Sequence, residues 1–393
     1  MSPSERQDLV GNGPHLATPS GKPRARALGI PFAGEPGDWN AITDVPGVEV
    51  GYATLIEGDD VRTGVTAIHP LGRERPGLPI PAGYHSQNGN GEMTGISWIA
   101  ESGTMNGPIA ITNTHAVGIA HAAIVRWTVR HRPDVAELWL LPVAGETWDG
   151  YLNDINVGHV TEDLAIEALE AARSGPIEEG SVGGGTGMNA YDFKAGSGTA
   201  SRVVTHGTDR YTVGVFVQAN FGSRRELVIA GVPMGAALAD DNPIAEDDAA
   251  HGIGTGPPGA GSCIAIVATD APLLPDQCRA LARRVTIGLG RTGAVGSHFS
   301  GDLFLAVSTA QPDAFTPGYL GVDRAGRPPY DQLRFIPWGD IDPFFSAVIQ
   351  GTEEAVVNAM VANEAMVGFG GHRSPALPRD RVVELLRGAG RIR

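Results

Sequence analysis

The chain has 393 residues, enough to bury a large core, and carries 29 Lys plus Arg against 44 Asp plus Glu, a net charge of −15. That balance argues against a nucleic-acid or anionic-membrane partner, because a phosphate backbone recruits a concentrated basic face. No window approaches the 18 consecutive apolar residues of a membrane span, and the opening stretch lacks an apolar signal region, so the expected compartment is the cytoplasm.

Residues 1–35, polar and rich in Pro and Gly, read as a flexible or draped arm. Order begins at NAITDVPGVEVG (40–51), a strand region with a Pro-Gly turn at Pro46 and Gly47. Short apolar runs predict strands over 65–68, 95–99 and 109–112. Val117, Ala120, Ile124 and Trp127 recur at helical spacing and predict a helix over 115–130, followed by a strand over 138–142. Thr161 is an N-cap with acids behind it, opening a helix that Gly175 closes. Strands follow over 201–205, 211–220 and 227–232. The segment DDNPIAEDDAAHGIGTGPPGAG (240–261) reads as a long interior loop, which in a large domain signals function or processing. After it come a strand (263–269), a helix (275–290), a strand (302–308) and helices over 343–349 and 352–366. Strands and helices fall in blocks without strict alternation, so we expect an α+β fold, sheet on sheet with outer helices, in a single large domain.

The most informative stretch is GTGPPGAGSCIAIVATDAPLLP, where a Gly-Pro lead runs into an apolar strand opening with a hydroxyl at Ser262. A strand that simply begins with serine is the plainer reading and, on these residues alone, carries more weight. The sharper one is self-cleavage at Gly261–Ser262. The Ser262 hydroxyl would attack the Gly261 carbonyl, and water would resolve the ester. The freed Ser262 would then hold a nucleophile beside an α-amine of pKa roughly 7.7–8. Cys263 is the rival nucleophile, but it faces the other side of the strand.

The chain resembles the self-cleaving aminopeptidases that include the L-aminopeptidase/D-amidase/D-esterase and the β-peptidyl aminopeptidases. The resemblance rests on NAITDVPGVEVG, RTGVT, NGNGEMTG, ITNTHAVG, ETWDGYLNDIN, SVGGGTGM, QANFG, GSCIAIVATDAPLLP and GLGRTGAVGSHFSGDLFLAVSTA, in order from residue 40 to 310. It implies a four-layer αββα sandwich made as one precursor and cut into an α chain (36–261, after the arm) and a β chain (262–393). It further implies a homotetramer of αβ units acting on small peptides, amino-acid amides or esters. By the same resemblance Ser262 is the nucleophile, and Ser300 and Asp302 form the Ser-Gly-acid element that assists it. Asn220 is the oxyanion donor, and Glu146 binds the substrate's α-ammonium. Trp148 stands where the family often has Tyr, with Tyr151 as the alternative for that contact.

Two other functions stay open on the residues. One is an acyl or aminoacyl transferase of the ornithine acetyltransferase type; the other is a processed but non-catalytic binding protein. SVGGGTGMNAYDFKAGSGTASR (181–202) imitates a phosphate cradle without the G-K-[ST] ending, and is expected to be a tight glycine loop beside the site. His85, His115 and His298 show no ligand spacing, so no metal or cofactor is expected. Glu92, Glu101, Asp149 and Asp154 read as loop-holding acids, and Asn88 and Asn90 as turn formers.

Overall fold

A computed structural model describes residues 13–75, 77–137, 139–251, 261–315, 330 and 332–393. In chain order the first elements are β1 (Glu49–Glu57), β2 (Val61–His69), β3 (Ile80–Gly89), α1 (Ile96–Ser102), β4 (Thr104–Met105), β5 (Ile109–Asn113), α2 (Val117–His131), α3 (Pro133–Ala136) and β6 (Val143–Thr147). Next come α4 (Glu162–Glu170), β7 (Asn189–Ala190), β8 (Phe193–Lys194), β9 (Ser197–His206), β10 (Asp209–Asn220), β11 (Val228–Ile229), β12 (Val232–Pro233) and α5 (Pro243–His251). The last are β13 (Gly261–Thr269), α6 (Pro275–Arg291), β14 (Ser300–Ser308), α7 (Asp342–Val361), β15 (Met366–Val367), β16 (Arg373–Ser374) and α8 (Arg379–Gly388).

Two sheets carry the fold, one ordered β1-β2-β5-β6 and the other β4-β3-β14-β13-β10-β9. Val50, Ile68, Ile109, Ile111 and Val143 of the first meet Phe216, Ile264, Ile266, Leu303 and Leu305 of the second in a shared buried layer. Behind the four-stranded sheet, α2 and α4 set Ala120, Ala123, Trp127 and Leu169 against Ala53, Val65, Ala67 and Ala110. Behind the other, α6 and α7 set Leu281, Val285, Val348 and Ala355 against Ala265, Val267, Phe304 and Ala306. The layers are therefore helix, sheet, sheet, helix, the α+β αββα sandwich that the resemblance implied. Because β13 is covered on both faces, its sequence is a continuous apolar run with no polar alternation. Among the described residues no helix is long and apolar enough to cross a membrane.

Several local expectations are met. The Thr161 hydroxyl accepts the Leu164 N–H at 3.2 Å and caps α4, though that helix ends at Glu170, ahead of Gly175. Others are corrected. Residues 95–99 open helix α1 instead of forming a strand, since so short an apolar run has no decisive period. The strand expected over 138–142 is not there: residue 138 lies outside the described residues, 139–142 are irregular, and β6 starts only at Val143, after Pro142, which cannot donate to a ladder. Residues 227–232 split into the β11–β12 hairpin, turned by Ala230 and Gly231 at φ 49° and 77°. The two C-terminal helices are one, α7, running through Gly351. A Cβ there would stand 2.9 Å from Val215 Cγ2, so this glycine lets the helix approach the sheet and does not break it.

The interior loop over 240–261 contains a helix, α5, while 252–260 lie outside the described residues. Residues 13–35 of the arm are draped and pinned. Buried Arg24 pairs with Glu179 at 2.8 Å, and Arg26 with Glu354 at 2.6 Å. Residues 1–12 lie outside the described residues.

Candidate active site

Ser262 is the second residue of β13 and pairs with Asn220 of β10 on one side and Gly301 of β14 on the other. The pleat turns it, with Ile264 and Ile266, toward the four-stranded sheet. There the chain just past β6 meets it: the Trp148 main-chain N–H donates to Ser262 Oγ at 3.4 Å. Ser262 is only 3% exposed. Cys263 points the other way into the helix-side core, where burial pushes its thiol well above the ordinary range. That leaves it a poor nucleophile.

Gly261 has φ 155°, and a Cβ there would lie 2.0 Å from the Asn220 carbonyl oxygen. Only glycine tolerates this approach.

Asn220 ends β10 with both ends of its amide engaged. Its Oδ1 accepts the Asn189 N–H at 2.9 Å, and its Nδ2 donates to the Trp148 carbonyl at 2.8 Å. A second hydrogen on Nδ2 remains to meet a developing oxyanion. Thus the main chain of Trp148, not its indole, ties Ser262 to Asn220.

Ser300 and Asp302 do share a site, as residues two apart on a strand should. Ser300 Oγ donates to Asp302 Oδ1 at 2.6 Å. Asn88 Nδ2 donates to Asp302 Oδ2 at 3.0 Å and Gln87 Nε2 to the same oxygen at 3.4 Å. Burial raises the Asp302 pKa, opposed by the bonds from Ser300, Asn88 and the Cys263 main chain. Register sets Ser300 beside Gly261 and Asp302 beside Cys263, on the sheet face opposite the Ser262 side chain. The pair therefore straddles the main chain at residue 262. Asn88 and Asn90, read as turn formers, instead hold the 297–302 segment. Asn88 Nδ2 also reaches the Ser297 carbonyl (3.0 Å), and Asn90 Nδ2 reaches that of Phe299 (2.6 Å).

Glu146 lies in β6 and is 2% exposed. Its Oε1 accepts the Glu92 N–H at 2.7 Å, and its Oε2 accepts the Thr114 hydroxyl. Burial raises its pKa, with those two bonds opposing. It makes no ion pair among the described residues, though nearby His115 favours its charged form, and an arriving ammonium would relieve the desolvated carboxylate. A Cβ at Gly91 would stand 3.1 Å from both Glu146 Oε1 and Gly301 Cα, which puts this carboxylate one residue's width from the strand beside Ser262.

Tyr151 is committed elsewhere. Its hydroxyl donates to Asp247 Oδ2 of α5 at 2.6 Å, its ring stacks on His372, and it packs with Leu152 and Ile244. Trp148 packs against the same cluster, and only its main chain reaches Ser262.

Asp149, next along, was expected only to hold a loop. It is fully buried with one carboxylate oxygen unpartnered, and burial pushes its pKa up to about 7.

The glycine loop lines this region but leaves no cradle. A Cβ at Gly184 would meet Gln218 Oε1 at 2.3 Å, and one at Gly187 would meet the Arg62 carbonyl at 2.3 Å. Among the described residues, no group of three or more His, Cys, Asp or Glu is placed to hold a metal ion.

Comparison with known proteins agrees with this geometry. The chain is 45% identical over 379 residues to the beta-peptidyl aminopeptidase BapA of Sphingosinicella microcystinivorans, spanning 93% of this chain and 92% of that one. Its structure resembles that of the L-aminopeptidase D-Ala-esterase/amidase from Ochrobactrum anthropi, described as a prototype serine aminopeptidase and a variant of the Ntn hydrolase fold. The TM-score is 0.85 at 44% identity, covering 95% of this chain and 100% of that one. A Burkholderia beta-aminopeptidase superposes with a TM-score of 0.82 at 41% identity, over 93% and 99% of the two chains. Residues 40–374 match the sequence profile of Peptidase family S58. Kinship across nearly the whole length, in sequence and in fold, makes this protein a hydrolase of aminopeptidase type, and the chain belongs to Peptidase family S58.

Proposed function

We propose that the protein cuts itself between Gly261 and Ser262 and then works as a serine aminopeptidase on small peptides, amino-acid amides or esters. The observation that carries this is Ser262 at the head of a central strand, flanked by Asn220, with a glycine before it that no other residue could replace in place. In the first reaction Ser262 Oγ attacks the Gly261 carbonyl carbon. The C–N bond to Ser262 breaks, an ester forms, and water hydrolyses it to a Gly261 carboxylate and a free Ser262 amine. That amine, with a pKa of roughly 7.7–8, then takes the proton from its own hydroxyl in each turnover.

In turnover the substrate's α-ammonium pairs with Glu146, and Ser262 Oγ attacks the first amide or ester carbonyl. Asn220 Nδ2 donates to the oxyanion, the leaving group departs with the proton, and water releases the amino acid. Ser300 and Asp302, straddling residue 262 from the far face, hold and orient the new amine. The homotetramer of αβ units and the cytoplasm belong to the same proposal. Exposed Trp98 and Leu141 offer apolar surface for contacts between copies, and the two buried free thiols suit a reducing compartment.

The test is Ser262→Ala. Wild-type protein should run on a denaturing gel as two fragments, 1–261 and 262–393, the second beginning Ser-Cys-Ile. The Ala variant should stay one chain without peptidase activity, and an active, cut variant would overturn the proposal.

A further inference from the structure

Lys194 is fully buried, and its partners are carbonyls rather than a carboxylate. Nζ donates to the Met188 oxygen at 2.7 Å and the Ala195 oxygen at 2.8 Å. Burial pushes its pKa well below the ordinary lysine range. A neutral amine keeps two N–H bonds, one for each carbonyl, so the clamp needs no charge.

The Met188 carbonyl and the Asn189 N–H belong to one planar peptide group. Lys194 Nζ and the Ala195 N–H (3.0 Å) hold its oxygen, while its N–H faces the other way and donates to Asn220 Oδ1 at 2.9 Å. That bond, together with the Nδ2 donation to the Trp148 carbonyl, fixes which end of the Asn220 amide is the acceptor and leaves Nδ2 on the Ser262 side. Were the amide turned over, Oδ1 would face a developing oxyanion and repel it.

The hairpin carrying these groups is itself held in a costly shape. Between β7 and β8, Tyr191 and Asp192 both have positive φ, 53° and 55°, which non-glycine residues adopt only when their surroundings impose it. Tyr191 is tied to the Phe221 carbonyl by its N–H at 2.9 Å and to Thr292 Oγ1 by its hydroxyl at 2.6 Å.

We infer that Lys194 is a positioning residue for the reaction: by clamping the Met188–Asn189 peptide it holds the Asn220 amide with its donor toward Ser262. This rests on the reading of Asn220 as the oxyanion donor.

The test is Lys194→Met, which leaves each carbonyl its second donor, Ala195 N–H for Met188 and Asn363 Nδ2 for Ala195. Because losing one oxyanion donor costs about 10²–10³ in kcat, a misdirected one should cost about tenfold or more, with KM changed by less than about twofold. Affinity for an amino-acid aldehyde, which forms a tetrahedral adduct on Ser262, should fall by the same factor, while the product amino acid binds as before. A purely structural role would not separate those two ligands. Unchanged kcat, or equal loss of aldehyde and product binding, overturns the inference. If Lys194→Met does not fold, Lys194→Gln is read the same way, and failure of both to fold also overturns it. Asn220→Ala separates the two ideas. Full self-cleavage and turnover in that variant sinks the oxyanion assignment, whereas a crippled Asn220→Ala beside a silent Lys194→Met sinks only the role of the lysine.

Discussion

Replacing Gly261 by alanine adds one methyl group, and the structure says what it meets. The new Cβ would stand 2.0 Å from the Asn220 oxygen, 2.9 Å from the Asn220 carbonyl carbon and 3.0 Å from Phe221 Cα. All three are main-chain atoms of a strand end bonded to its neighbours, so no side chain can swing clear. Restoring ordinary contact of about 3.5 Å requires roughly 1.5 Å of movement, and the backbone conformation adds a strain of about 1–3 kcal/mol. In the proposed self-cleavage Ser262 Oγ and the Gly261 carbonyl would be the reacting pair, and misplacement by about 1 Å costs on the order of 10²-fold in rate. Gly261→Ala should therefore fold, with a lower melting temperature, and appear as the 262–393 fragment about a hundredfold more slowly. The assay is a time course of purified precursor on a denaturing gel, with circular dichroism to establish the fold. Cleavage at the wild-type rate and at the same bond would refute the reasoning, because it would mean that the close approach to Asn220 has no part in placing the scissile carbonyl.

Glu146→Gln should raise KM about 10- to 100-fold for substrates with a free amino terminus, since a hydrogen bond to a charged group contributes about 1.5–3 kcal/mol. Equal KM values for variant and wild type, measured by steady-state kinetics on an amino-acid amide, would remove Glu146 from the ammonium site. Asp149→Asn should flatten the pH dependence of stability. The carboxyl ionises near 3.8 unfolded and at about 7 folded, so the folded state binds more protons in between. Stability should then fall as pH rises from about 4 to about 7, by on the order of 4 kcal/mol at most. Denaturant midpoints of the uncut Ser262→Ala chain at pH 5 and pH 8 should differ more with Asp149 than with asparagine, and the opposite order would contradict the burial argument.

How much of this was legible in the sequence depended on whether a residue's task was local. The cap at Thr161, the apolar face of α2 and the strand after Ser262 follow from neighbours in the chain, and were readable. Gly351 was misleading because its reason lies in Val215, far away on a strand that α7 covers; within the chain it looks like a helix end. Ser262 and its near neighbours came from ordered motifs, but their orientation did not. Neither the opposed faces of Ser262 and Asp302 nor the use of Trp148 through its main chain can be seen without strand register. Asn88 and Lys194 were missed as site residues for the same reason. Each acts on a group more than 20 residues away or through a peptide plane, and nothing local in NAYDFKAG, where Asp192 stands two residues before Lys194, marks the lysine out.

The position of Ser262 also bears on what could make the proposed cut. A separate protease binds several residues in extended form and must reach both sides of the scissile bond. Here the bond opens a strand hydrogen-bonded to β10 on one side and β14 on the other, and Ser262 is 3% exposed. Presenting it to an outside enzyme would mean stripping β13 from the centre of a six-stranded sheet, with Ile264, Ile266 and Val267 leaving two cores at once. Fully burying each such side chain contributes about 1.5–3 kcal/mol, so opening three of them costs roughly 5–9 kcal/mol before any backbone hydrogen bond is counted. The Ser262 hydroxyl is attached to the residue that follows the bond and needs none of that opening. Were the junction cut, its burial would favour the Ser262 hydroxyl over an outside nucleophile.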